Sequence, residues 1–143
     1  MKLEDLHYVA GLLEGEGAFY TYKNNRHHTI VIDVGMTDYE PLAKIKQLCG
    51  GWLGGPYKPT VKGKDGSLRK VFWRWQLYHR LEVIELIQNL FPLMSPRRQN
   101  QITLMLNFHI QHPIKRNNDT YRPTTKQEMN EYKRIMYLAG LRK

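Results

Sequence analysis

Apolar residues recur at positions 3, 6, 9, 10 and 13, the spacing of one helix face, and predict a helix from Leu3 to Leu13. Gly15 and Gly17 follow and are expected to end it. Ala18 to Asn24 is rich in aromatics and reads as a strand. "NNRHH" (24–28) is a turn. Thr29 to Met36 then alternates, with Ile30, Ile32, Val34 and Met36 on one side, which predicts a second strand. Asp38 stands at the cap position of a helix from Tyr39 to Cys49, whose Leu42, Ile45 and Leu48 point inward. "CGGWLGGP" closes that helix and opens a third strand over about 52–62. Asp65-Gly66 marks a hairpin. The fourth strand runs from Leu68 to Tyr78, with Val71, Trp73, Trp75 and Leu77 on one face. Lys70, Arg74, Gln76 and Tyr78, with Phe72, take the other. Helices follow at about Leu81–Leu90, stopping before Pro92, and at about 96–111. Pro113 to Pro123 reads as a polar loop, and "TTKQE" (124–128) as the start of a last helix.

The order αββαββα predicts an α+β fold: two hairpins in one four-stranded antiparallel sheet, with helices packed on one face. A chain of 143 residues is expected to form a single domain, with its core over about 3–111 and the C-terminal helix over about 124–140. The other sheet face is left for a partner. Tyr20 and Tyr22 line it from the first strand, Thr29, Val31 and Asp33 from the second, and Lys70, Arg74, Gln76 and Tyr78 from the fourth. The phase of the third strand stays open, but Tyr57, Lys58 and Lys62 lie near it. Asn24, Arg26 and His28 border the face from the first turn.

Charge changes what that face is for. Lys and Arg number 22 against 13 acids, a net charge of +9, and positions 58–80 hold seven Lys or Arg and one acid. Such a chain keeps anionic partners, nucleic acid foremost. Cations interleaved with Tyr, Gln and Asn suit phosphates and base edges. The plain alternative is a solvated sheet face. Cys49 is the only cysteine, so no internal disulfide forms. Glu4, Asp5 and His7 interrupt any N-terminal apolar run, and no stretch approaches the ~18 apolar residues of a membrane span. The expectation is an intracellular protein, in cytoplasm, organelle, phage or mobile-intron context, with no membrane partner.

The stretch "VAGLLEGEG" (9–17) places two acids, each followed by glycine, where helix gives way to strand. Acids at a helix C-terminus oppose its dipole, by only tenths of a kcal/mol. The stretch resembles the LAGLIDADG motif of the homing endonucleases. Ala10, Gly11, Leu12 and Gly17 match, and Glu14 and Glu16 put an acid at both acidic places. The resemblance continues through the element order, "MTD" after the second strand, "IKQLCGG" and "PLMSPRRQNQI" (92–102), about residues 3 to 110. It implies a metal-dependent endonuclease on double-stranded DNA, with Mg²⁺ or Mn²⁺ held by Glu16 and the Gly15 carbonyl. Glu14 matches the structural acid. Arg97 falls where the family often carries a basic residue near the scissile phosphate, and Arg98 is its rival. Met36 stands where the family often has a polar, water-positioning residue, a departure from the pattern.

Small residues at Ala10 and Gly11 let two helices approach closely. Two copies would bring two Glu16 carboxylates together, where a hard cation relieves their repulsion. With one motif, a homodimer on a near-palindromic target is expected, with Val9, Ala10, Gly11 and Leu13 as its interface. "YLAGLRK" (137–143) lacks acids and reads as coincidence. "GGWLGG" lacks the Lys of a phosphate loop. His109 and His112 read as surface residues rather than zinc ligands, since zinc needs four ligands. The competing reading is a DNA- or RNA-binding protein of the same fold without nuclease activity, such as a splicing helper or regulator.

Overall fold

The computed structural model describes residues 1–24, 27–59, 64, 66, 70–111, 126, 130, 133–134 and 137, with the side chains of 24, 27 and 111 left aside. Its elements are α1 (Leu3–Glu16), β1 (Gly17–Asn24), β2 (His27–Met36), α2 (Tyr39–Cys49), β3 (Trp52–Tyr57), β4 (Phe72–Leu77), α3 (Arg80–Leu90), a 3-10 turn (Phe91–Leu93) and α4 (Pro96–Gln111). The four strands form one antiparallel sheet in the order β1-β2-β4-β3. This is the expected α+β fold. Asp65 of the expected Asp65-Gly66 hairpin, the loop at 113–123 and most of the last helix lie outside the described residues.

Contacts group the chain into two units: Met1–Ala18 with Asp33–Leu77, and Phe19–Ile32 with Tyr78–Lys143. In the first, α2 packs on β4 and β3 through buried Leu42 and Ile45. Trp75 and Leu77 of β4 are fully buried. The Trp75 indole N–H donates to the Gly50 carbonyl at 2.8 Å. Gly51, at φ 84°, follows. A Cβ there would stand 2.6 Å from the Gln76 carbonyl oxygen, so only glycine lets the chain pass this close to β4. The β3–β4 register pairs Trp52 with Gln76, Leu53 with Trp75 and Gly54 with Arg74, then shifts before Tyr57 pairs with Phe72.

The end of α1 differs from expectation. The helix runs through Gly15 to Glu16, and Gly17 is extended (φ −77°, ψ 155°), not a left-handed cap. Its amide donates to the Leu13 carbonyl, and a Cβ on Gly17 would lie 2.6 Å from that oxygen. Close approach, not left-handed geometry, requires this glycine. Asp38 occupies the cap position of α2 but makes no side-chain cap bond. β3 ends at Tyr57 and β4 starts at Phe72, both shorter than the alternation suggested.

In the second unit α3 buries Val83, Ile84, Leu86, Ile87 and Leu90. Pro92 ends it and the 3-10 turn follows. α4 starts with Pro96 in its first position, and the Ser95 hydroxyl accepts the Arg98 amide at 3.3 Å, the cap geometry such a sequence favours. Ile102, Met105, Leu106 and His109 are buried along α4. His109 is therefore not the surface residue its spacing suggested, and His112 lies outside the described residues. Burial, with help from the Arg80 and His28 charges, lowers its pKa to about 4.

Two predictions follow from this packing. Gly17→Ala should cost about 1–3 kcal/mol, because the methyl meets the Leu13 backbone. Gly11 and Gly15 have nothing within 4 Å of an added Cβ. Their Ala variants should hold or raise monomer stability, by up to about 1 kcal/mol, in dilute urea titrations. Second, His109 is neutral when folded, while the unfolded chain takes up its proton near the ordinary pKa of about 6.5. Stability should therefore be full above that pH and fall as pH drops toward about 4, by about 3 kcal/mol at most. His109→Gln should flatten that part of the stability profile.

Candidate nucleic-acid interface

The β3–β4 register resolves which side chains share a face. Trp52 and Gly54 stand opposite Gln76 and Arg74, while Leu53 stands opposite buried Trp75. Since α2 packs on the Trp75 side, Arg74, Gln76 and Trp52 lie on the side away from it. Trp52 is 41% exposed. It was not among the residues expected from sequence, because the Gly-Gly-Pro run in β3 carries no alternation to read. An added Cβ on Gly54 would land on the Trp52 ring and against the Tyr57 hydroxyl, so both aromatics lean over this glycine. Tyr57 also tilts against Phe72, ring centroids 5.4 Å apart.

Asp33 of β2 joins this face. Its Oδ1 lies 3.5 Å from Arg74 Nε, and Gln76 Nε2 donates to its Oδ2 at 3.3 Å. The Asp33 side chain is 12% exposed and that of Arg74 48%. The carboxylate is thus set into the face, while the guanidinium reaches outward. Lys58, Lys70 and Tyr78 are exposed beside the strands.

In the second unit Tyr22 is exposed, and Tyr20 and Thr29 are half-buried. Two expected residues are corrected. Val31 is buried (5% exposed) and offers no surface to a ligand. His28 meets the Phe108 ring of α4 edge-on, centroids 5.1 Å apart, on the side of Ile30 and Ile32. The alternation that turns Ile30 and Ile32 inward also turns His28 inward, so the signal was present in the sequence. Arg26 and Lys62 lie outside the described residues, as does the Asn24 side chain.

The acidic end of α1 presents Glu16 exposed, as the last helical residue. Helical pairing satisfies the Leu13 carbonyl through the Gly17 amide, while the carbonyls of the final residues have no further helical donor. Carboxylate and carbonyl oxygens at the negative end of a helix suit a hard divalent cation. Among the described residues no three His, Cys, Asp or Glu side chains come together. Burial pushes the Cys49 thiol up to about 11. Met36 is half-buried and brings no polar group.

The expected interface also needs correction. Val9, Ala10 and Leu13 are buried within the chain. The free face of α1 instead carries Leu3, Glu4, His7, Gly11 and Gly15. The two arginines of α4 are likewise distinct. Arg98 is buried, donates from Nη1 to Gln101 Oε1 at 2.9 Å and lies 6.0 Å from the Phe19 ring. Arg97 is exposed.

No family model and no curated protein sequence matches the chain. Solved structures do, and they are LAGLIDADG homing endonucleases. The archaeal intron-encoded homing endonuclease I-Vdi141I, solved with DNA, is 16% identical at a TM-score of 0.53, over 96% of this chain and 80% of that one. I-CvuI, solved with its target in the presence of Ca, is 13% identical at 0.54, over 96% and 85%. The homing endonuclease I-TnaI is 17% identical at 0.50, over 99% and 89%. The chain has their fold. No helix among the described residues is long and apolar enough to cross a membrane.

The difference between the two arginines is testable. Arg98→Ala should lower stability by about 2–3 kcal/mol, since it empties a buried site and leaves polar partners unmet. Arg97→Ala should stay within about 0.5 kcal/mol of wild type by the same denaturation assay.

Proposed function

We propose that this chain is a site-specific, metal-dependent DNA endonuclease of the homing type, acting as a homodimer on a near-palindromic target. One observation carries the reading. Glu16 stands exposed at the end of a helix whose Gly11 and Gly15 face is open, in a chain with the homing endonuclease fold.

Two copies of α1 meeting across Gly11 and Gly15 would bring their backbones close, because neither position holds a side chain between them. The Glu16 carboxylates of both copies then converge. Each carboxylate, with its Gly15 carbonyl, holds one side of an oxygen-lined site. A divalent ion such as Mg²⁺ or Mn²⁺, when bound there, supplies the Lewis acidity that activates water and steadies the leaving oxygen. Arg97, the exposed member of its pair, is the cation free to meet a phosphate. In the first unit Arg74, Gln76 and Trp52 face the groove, and Lys58 and Lys70 supply the salt-dependent attraction to the backbone. Half-buried Met36, where a polar residue would position water, favours a second reading: a protein of this fold that binds nucleic acid without cutting it.

Cleavage of a randomised near-palindromic DNA library, with Mg²⁺ and with chelator, separates the two. The expected outcome is metal-dependent cutting that falls about a hundredfold or more in Glu16→Gln, at least the cost of losing a metal ligand's support. Selective retention without cutting by both proteins would establish the binding-only reading. In the same series Gly11→Leu should remain folded but sediment as a monomer.

A further inference from the structure

Asp33 is the one acid in the four strands of a chain with net charge +9, and it is nearly buried. It is placed between the two polar side chains of the central strand β4, with Arg74 Nε at 3.5 Å and Gln76 Nε2 at 3.3 Å. We infer that this arrangement makes Arg74 a specificity-determining residue that reads a guanine in each half-site, with Asp33 as its positioning residue. This rests on the DNA-binding reading above.

Three features support it. The Asp33 carboxylate lies 3.5 Å from Nε as an ion pair, and beyond Nε the guanidinium ends in Nη1 and Nη2, two side-by-side donors on a side chain half exposed. Two donors side by side match the two acceptors, O6 and N7, of guanine in the major groove. Adenine offers N7 beside an amino donor, which such a pair opposes. Charge then decides between base and phosphate. A carboxylate 3.5 Å from the guanidinium repels a phosphate and so offsets the guanidinium's attraction for it, whereas a neutral base edge carries no net charge to be repelled. Last, Gly54 stands opposite Arg74, and the Trp52 ring and Tyr57 hydroxyl cover that glycine. They set an aromatic wall beside the guanidinium, against which a flat base edge can pack.

The test is selection of bound sequences from a randomised DNA library by the full chain, with chelator present to prevent cutting. Wild type should enrich a guanine at one position of each half-site. Arg74→Ala should relax that position alone, reducing the preference for guanine about tenfold or more. Arg74→Gln should shift it toward adenine, a change that mere damage to the fold cannot produce. Asp33→Asn should weaken the guanine preference while keeping total affinity and steepening its salt dependence by about one unit, as the released guanidinium turns to phosphate. Thermal melts of each variant accompany the selections. If Arg74→Ala instead weakens all sequences equally and makes the salt dependence shallower, Arg74 is a phosphate contact, and the inference falls while the DNA-binding reading stands. Selection unchanged in Asp33→Asn would remove Asp33 from the mechanism. Wild type that enriches no sequence would overturn the inference, and wild type that retains no DNA at all would overturn both.

Discussion

The bond from the Trp75 indole to the Gly50 carbonyl holds the first unit in phase. It ties the end of α2 to the middle of β4, at the place where the chain turns from α2 into β3. Gly51 then passes so close to the Gln76 carbonyl that no side chain fits. β3 begins at the next residue, so its register is set by this contact: Trp52 opposite Gln76, Gly54 opposite Arg74. A slip of one residue would send Trp52 to the α2 side and Leu53 to the exposed side. Which side chains can meet a ligand therefore follows from a hydrogen bond on the opposite face of the sheet.

Much of this was legible in the chain, wherever a periodic pattern was bounded by a residue with one local role. The bounds of α2 and α4 match expectation at both ends; Asp38 and Gly50 flank the first, and Ser95 and Pro96 start the second. Parity placed Ile30, Ile32 and Val34 correctly, and applied evenly it also accounts for His28. The failures share a cause. In α1 the glycine of position 15 was read as a stop, yet a helix accommodates a glycine for about 1 kcal/mol when packing holds the rest. β3 has two glycines and a proline in six residues, so its phase lies in the pairing with β4 and not in its own composition. Val9, Ala10 and Leu13 resembled an interface because a helix face for the core and one for a partner use the same small and apolar residues. Only burial distinguishes them.

Burial also separates like residues by task. Arg97 and Arg98 are neighbours of one type, but a helix turns successive side chains about 100° apart. One is enclosed with Gln101 and near Phe19, and the other faces solvent. The same logic distinguishes the acids. In a chain this basic, an acid away from the surface salt patterns asks for a reason. Glu16 is exposed at a helix end whose dipole disfavours it, which leaves its charge available to a cation. Asp33 is nearly enclosed, with an ion pair to Arg74 and a hydrogen bond from Gln76 inside the face. An exposed carboxylate keeps its charge in solvent, while an enclosed one offsets the charge of the arginine beside it. On a basic sheet, one acid set into the face lowers the local charge there and ties β2 to β4 through Arg74 and Gln76.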